Sequence, residues 1–133
     1  MNQKVLIIDD EEHIIYSIKG ILALENLESV QACNGKEGLR IFSEYKPDLI
    51  IADYQMPEMT GLELIRSVKS IDPLIPVIIM TAYGDKDINV SFVKEGAFRY
   101  LEKPFDIEEL RLTVLSGIEH YKKQVKKQFN DET

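Results

Sequence analysis

Short unbroken apolar runs alternate along the chain with stretches in which apolar residues recur every three or four positions. Unbroken runs suit strands buried on both faces, and the three-to-four spacing suits helices that bury one stripe. The runs predict strands at Val5 to Ile8, Ser29 to Ala32, Leu49 to Ala52, Val77 to Met80 and Arg99 to Leu101. Between them, Ile14, Ile18, Ile21 and Leu22 form one helical stripe, and Leu39 with Phe42 begins another behind an Asn34–Gly35 start. Leu62, Ile65 and Val68 form a third behind Thr60, with Glu63 placed to complete a capping box. Ile88, Phe92 and Val93 form a fourth. Asp106 with Glu109 offers a second capping box for a last helix carrying Leu110, Val114, Ile118, Tyr121 and Val125. Five strand–helix units without a repeat or an interior linker predict one α/β domain, doubly wound around a five-stranded parallel sheet.

The polar residues that follow the strands are not scattered. The first strand runs into Asp9, Asp10, Glu11 and Glu12, the third into Asp53, the fourth into Thr81, and the fifth into Lys103–Pro104. Open α/β sheets keep their chemistry at the carboxyl ends of the strands, so carboxylates, a hydroxyl and an ammonium are expected to converge on one site. Each has a duller explanation: Asp10 or Glu11 as a helix cap, Thr81 as a β-branched strand residue, Lys103 as a solvated charge. Their joint occurrence, each behind its own strand, favours a site.

Composition narrows the classes. A chain of 133 residues has room for one core. The apolar runs are too short to span a bilayer, and Met1 to Lys4 leads into a strand rather than a signal sequence, which predicts a cytoplasmic protein with no membrane contact. Sixteen Lys and Arg against 23 Asp and Glu give a net charge of −7, which argues against direct nucleic acid binding by this domain. Cys33 is the only cysteine, expected as a small buried residue at a strand end. The last helix is longer than one domain needs and ends in Lys122, Lys123, Lys126 and Lys127. These lysines complement a helix C-terminus, or the helix continues as a connector to another domain or as a dimer contact; a basic nucleic acid arm is the weakest of these readings.

Asp9, Asp10 and Asp53 at neighbouring strand ends would repel one another unless a cation compensates, and hard carboxylate oxygens suit Mg²⁺. Such a site brings in a phosphoryl donor, with Lys103 neutralising charge from the other side, Thr81 bonding a phosphoryl oxygen, and an aspartyl phosphate as the covalent product.

From about Lys4 to Tyr121 the chain resembles a response-regulator receiver domain of bacterial two-component signalling. The matching strings are Val5–Leu6–Ile7–Ile8–Asp9–Asp10–Glu11, Asp53 to Gly61, Met80–Thr81–Ala82, Glu95–Gly96–Ala97 and Tyr100 to Phe105. The resemblance implies a flavodoxin-like (βα)5 fold with strand order 2-1-3-4-5. It implies Asp53 as phosphoacceptor, Asp10 as a direct Mg²⁺ ligand, and Asp9 acting mainly through a metal-bound water. Gln55 would lend its backbone carbonyl to the metal. Thr81 and Lys103 would bind the phosphoryl group, and Tyr100 would be the aromatic switch that turns inward when Thr81 moves. It further implies a cis Lys103–Pro104 bond, Gln55 and Tyr83 flanking the path of hydrolytic water, and a sensor histidine kinase or phosphotransfer protein as phosphodonor. Residues 1–121 are expected as the receiver domain and 122–133 as a helical extension or the start of a linker to an output domain. As a receiver the domain is regulatory rather than an enzyme, beyond Mg²⁺-dependent self-phosphorylation and autodephosphorylation.

Rival classes fit less well. A flavodoxin-like cofactor binder needs small and hydroxyl residues where Asp9 to Glu12 stand, a haloacid-dehalogenase phosphatase needs an acid where Gln55 stands, and a dinucleotide or P-loop fold lacks its glycines. An inactive receiver acting only as an interaction module is disfavoured because no motif residue is missing.

Overall fold

The computed structural model describes residues 2–82 and 95–132. The stripe Ile88, Phe92 and Val93, and Tyr83, lie outside the described residues. In chain order the elements are β1 (Lys4–Ile8), α1 (Glu12–Leu24), β2 (Glu28–Ala32), α2 (Gly35–Tyr45), β3 (Leu49–Asp53), β4 (Gln55–Met56), β5 (Met59–Thr60), α3 (Gly61–Ile71), β6 (Val77–Thr81), β7 (Arg99–Glu102) and α4 (Ile107–Glu132). The five expected strands are therefore β1, β2, β3, β6 and β7, each extended by one residue at one end. They form one parallel sheet in the order β2-β1-β3-β6-β7, which is 2-1-3-4-5 counted over its own strands.

Successive strand residues point to opposite faces, and both faces are covered, which is why the strands read as unbroken apolar runs. Val5, Ile7, Leu49, Ile51, Ile78 and Met80 pack with Ile15, Ile18 and Leu22 of α1 and Leu110, Val114 and Ile118 of α4. Leu6, Ile8, Ile50, Ala52, Val77 and Ile79 pack on the other face with Phe42 of α2 and Leu64, Ile65 and Val68 of α3. The chain winds outward from β1 to β2, then reverses across β1 to reach β3. With right-handed crossovers this reversal sends α1 and α2 to opposite faces and leaves a crevice beyond the carboxyl ends of β1 and β3. Two glycines let helices approach closely: a Cβ on Gly38 of α2 would collide with Ile8, and one on Gly117 of α4 would lie 2.6 Å from Leu49.

Local signals behaved as their chemistry requires, with two exceptions. Asn34 accepts from the Glu37 amide at 2.8 Å and starts α2. Thr60 and Glu63 form both halves of a capping box at α3. At α4, however, Asp106 accepts from the Glu108 amide at 3.3 Å rather than exchanging bonds with Glu109, so no second capping box forms. Cys33 is exposed rather than buried, because β2 ends at Ala32 and the chain has already turned outward. The hairpin β4–β5 was not expected; it closes through Pro57 and Glu58, where Glu58 takes φ 69°. The Lys103–Pro104 bond is cis.

Candidate functional site

Asp9 follows β1 directly, and its amide donates to the Ala32 carbonyl at 3.1 Å, so the strand pairing holds its side chain in the crevice. It is fully buried. One carboxylate oxygen accepts from the Glu11 amide at 2.9 Å and the other from Lys103 Nζ at 3.0 Å. Asp53 closes β3 with its carboxylate 3.4 Å from the same Lys103 Nζ, and the Gln55 amide donates to it. Lys103 in turn is held by its backbone amide, which donates to the Thr81 carbonyl at 2.7 Å beyond the last rung of the β6–β7 pairing. Glu11 lies 3.8 Å from Lys103 Nζ. Asp9, Asp10, Glu11 and Asp53 each present a carboxylate oxygen, and these four atoms lie within 4.8 Å of one another.

Among the described residues, four carboxylates therefore share one nearby ammonium. Burial raises the pKa of Asp53, the Lys103 charge lowers it, and the Asp9 charge raises it again; the net direction is upward. Lys103 feels burial first, which works against its charge, but the Asp9 hydrogen bond and the charges of Asp53, Asp9 and Glu11 outweigh it and raise its pKa. The cluster is thus short of positive charge, and its donor set, carboxylate oxygens only, fits a hard divalent cation such as Mg²⁺.

Thr81 ends β6 beside β3, one position beyond Met80, which pairs with Asp53. Its hydroxyl is buried and has no hydrogen-bond partner among the described residues. A buried hydroxyl without an acceptor or donor costs free energy, so a polar ligand atom brought into the crevice would find it unsatisfied. Tyr100 sits one strand farther out on β7, opposite Ile79, and is 38% exposed. The structure thus brings Asp9, Asp10, Asp53 and Lys103 into one cluster and sets Thr81 at the neighbouring strand end. Gln55 is exposed on β4 and reaches the cluster through its amide. Tyr100 stands apart from the carboxylates. Glu11, weighed in the sequence only as a cap, also belongs to the cluster; its position as the third acid of the string after β1 was the signal.

The family model of the response regulator receiver domain matches residues 5–115. The chain belongs to that family. It is 41% identical over 120 residues to the DNA-binding transcriptional regulator NtrC of Escherichia coli, a match covering 90% of this chain and 26% of that protein. It is 40% identical over 111 residues to sporulation initiation phosphotransferase F of Bacillus subtilis, covering 84% of this chain and 90% of that one. A response regulator receiver domain of Clostridium thermocellum superposes with a TM-score of 0.85 at 39% identity, covering 90% and 97% of the two chains. The chain spans about a quarter of the length of the NtrC proteins it matches. Receiver domains serve phosphorylation-dependent signalling in two-component systems, and the homologous proteins are regulatory. Among the described residues, no helix is long and apolar enough to cross a membrane.

Proposed function

We propose that Asp53 accepts a phosphoryl group from a sensor histidine kinase or a phosphotransfer protein, and that the modified domain changes the face built by the expected fourth helix, β7 and α4. That face then controls an output domain or a partner. The observation that carries this reading is the cluster itself: among the described residues, a buried strand-end carboxylate within reach of one lysine, beside three further carboxylates and a buried hydroxyl without a partner.

In this reading Asp10, Asp53 and the Gln55 backbone carbonyl would hold Mg²⁺, Asp9 would act on it mainly through a metal-bound water, and Glu11 borders them. The metal, when bound, neutralises phosphoryl charge and orients the donor. An Asp53 carboxylate oxygen attacks phosphorus, and the bond from phosphorus to the donor histidine nitrogen breaks, with the electron pair leaving on that nitrogen. Lys103 turns from a partner of carboxylates into a partner of the phosphoryl oxygens, and the Thr81 hydroxyl donates to one of them. The movement of Thr81 frees space into which Tyr100 turns, a population shift of about 1–3 kcal/mol. Residues 1–121 form the receiver and 122–133 extend its last helix toward a linker, an output domain or a second copy. The domain works in the cytoplasm, and neither nucleic acid nor membrane is its direct ligand.

Mass spectrometry after incubation with acetyl phosphate and Mg²⁺ tests the assignment. One phosphoryl group is expected on the parent and none on Asp53→Asn; equal modification of Asp53→Asn would place the acceptor elsewhere.

A further inference from the structure

The opposite end of the sheet carries a second concavity. It is a groove of about 490 Å³ between the end of α3, the loop before β6, the start of β7 and α4. That volume lies in the range of small-ligand sites. Among the described residues, its lining includes the cations Lys69 and Arg99, with His120 beside them, and no carboxylate, on a chain with seven more acids than bases. A cationic lining on an acidic protein selects anions and repels metal ions.

Planar groups dominate one wall. The Arg99 guanidinium carbon stands 4.6 Å from the centroid of the Phe98 ring, and the Phe98 and His120 rings are 5.3 Å apart and tilted by 37°. Guanidinium and aromatic rings in such contact form a surface on which another flat ring stacks, and Arg keeps edge donors for an anion. Pro73 and Pro76 supply an apolar wall from the loop and from the residue before β6. Also in the lining, Lys69 Nζ donates to the Ile75 carbonyl at 2.5 Å and the Pro73 carbonyl at 3.4 Å. An ammonium has three protons, so one remains for a ligand. Burial pushes the Lys69 pKa down, with Asp72 opposing, so a nearby anion would relieve a cation that the fold holds at a cost.

We propose that this groove binds a small anion bearing a planar ring, with a nucleoside monophosphate as the type: the ring stacks on the wall of Phe98, His120 and Arg99, and the anionic group meets Arg99 and Lys69. The site lies at the amino ends of β6 and β7 and Asp53 at the carboxyl end of β3, so binding here is independent of phosphoryl transfer.

The probe is AMP, titrated into the ¹⁵N-labelled protein with EDTA present, with adenosine and ribose 5-phosphate as the ring-only and anion-only arms. Saturable shifts are expected at Val77, Phe98, Arg99 and His120, with a Kd on the order of 0.1–1 mM and each half-ligand about tenfold weaker or more. Arg99→Ala, at an exposed position, should weaken AMP about tenfold, Arg99→Lys less because it keeps the charge and loses the plane, and Asp53→Asn not at all. AMP binding that Arg99→Ala leaves unchanged, adenosine binding as tightly as AMP, or shifts that never saturate or cluster elsewhere would overturn the proposal. Failure of phosphorylation at Asp53 would leave these outcomes untouched.

Discussion

Among the described residues, four carboxylates crowd around one ammonium beyond the carboxyl ends of β1 and β3, whereas at the amino ends of the strands Asp48 and Asp72 have donors of their own. Asp48 accepts from the Lys4 amide at 2.8 Å. Asp72 accepts from the Leu74 amide at 3.0 Å through one oxygen and from the Tyr121 hydroxyl at 2.6 Å through the other. Among the described residues, the first end has more negative charge than its partners can satisfy and a buried hydroxyl without a partner; at the second, neutral donors satisfy Asp48 and Asp72. The same sheet thus supports carboxylates arranged to receive a ligand and, at Asp48 and Asp72, carboxylates that hold the fold. Strain concentrated at one end is a sign of function when the other end shows that the fold does not require it.

Removing the shared cation should produce the largest contrast. Lys103→Met leaves Asp9 fully buried with no ammonium, and one orphaned buried charge outweighs the loss of the pair itself. Urea unfolding without metal should show a loss of about 2–3 kcal/mol, reduced from the range for fully buried pairs because Lys103 retains some solvent contact. Adding Asp9→Asn should restore most of it. Mg²⁺ at tenfold its Kd should stabilise the parent by about 1.4 kcal/mol, a gain that Asp10→Asn largely removes. A Lys103→Met protein as stable as the parent while Asp9 is kept, or one that Asp9→Asn fails to restore, would show that the cluster is not short of positive charge.

Much of this architecture was legible because both-face burial writes itself into sequence. Val5–Ile8, Leu49–Ala52 and Val77–Met80 are continuous apolar runs only because helices cover both sides of the sheet. The weaker runs, Ser29 to Ala32 and Arg99 to Leu101, are the two edge strands, half solvated and therefore mixed in composition. Asp9, Asp10, Asp53, Thr81 and Lys103 were legible because strand ends are the points where an apolar run must stop. What escaped were features with no periodicity. The β4–β5 hairpin is two residues a side, Asp106 bonds one residue short of a capping box, and Cys33 lies just past a strand end where exposure depends on the turn. The Tyr121–Asp72 bond spans 49 positions and leaves no local signature; Tyr121 read only as one member of an apolar stripe.

That bond supplies the next contrast, at the closed end. Tyr121→Phe removes a buried-side donor while keeping the ring, so a loss of about 1 kcal/mol is expected at pH 7. Burial, then the Asp72 hydrogen bond and the charges of Asp72 and Asp48, raise the phenol pKa above its ordinary 10.0. Below pH 10 both folded and unfolded chains keep the proton. Above it the unfolded chain releases its proton first, the native state binds more protons, and stability falls as pH rises. The gap between parent and Tyr121→Phe should therefore be full below pH 10 and shrink above it. Lys69, with its pKa lowered, contributes in the opposite direction but is common to both proteins and cancels in the difference. Urea midpoints of the two proteins from pH 7 to pH 11 measure this, and a gap that widens above pH 10 would contradict the bond.

The smallest effect on stability should come from the most reactive corner. Thr81→Val exchanges a hydroxyl for a methyl of nearly the same shape at a β-strand position that favours branched residues. In most cores the change is unfavourable because the hydroxyl is bonded, but here the oxygen is buried with no partner among the described residues. Replacing an unsatisfied polar atom by an apolar one of equal size is neutral or favourable, so Thr81→Val should leave the unphosphorylated domain unchanged or more stable by up to about 1 kcal/mol. The phosphorylated domain should tell the opposite story, since the hydroxyl would then have an oxygen to bond. Beryllofluoride, a stable mimic of the phosphoryl group, should shift the amides of β7 strongly in the parent and weakly in Thr81→Val. Thr81→Ser, which keeps the donor, should recover much of the response at some cost in packing. A Thr81→Val protein that is destabilised by more than about 1 kcal/mol without the mimic would mean that the hydroxyl already has a partner. An undiminished β7 response in Thr81→Val would remove Thr81 from the path that links the two faces of the crevice.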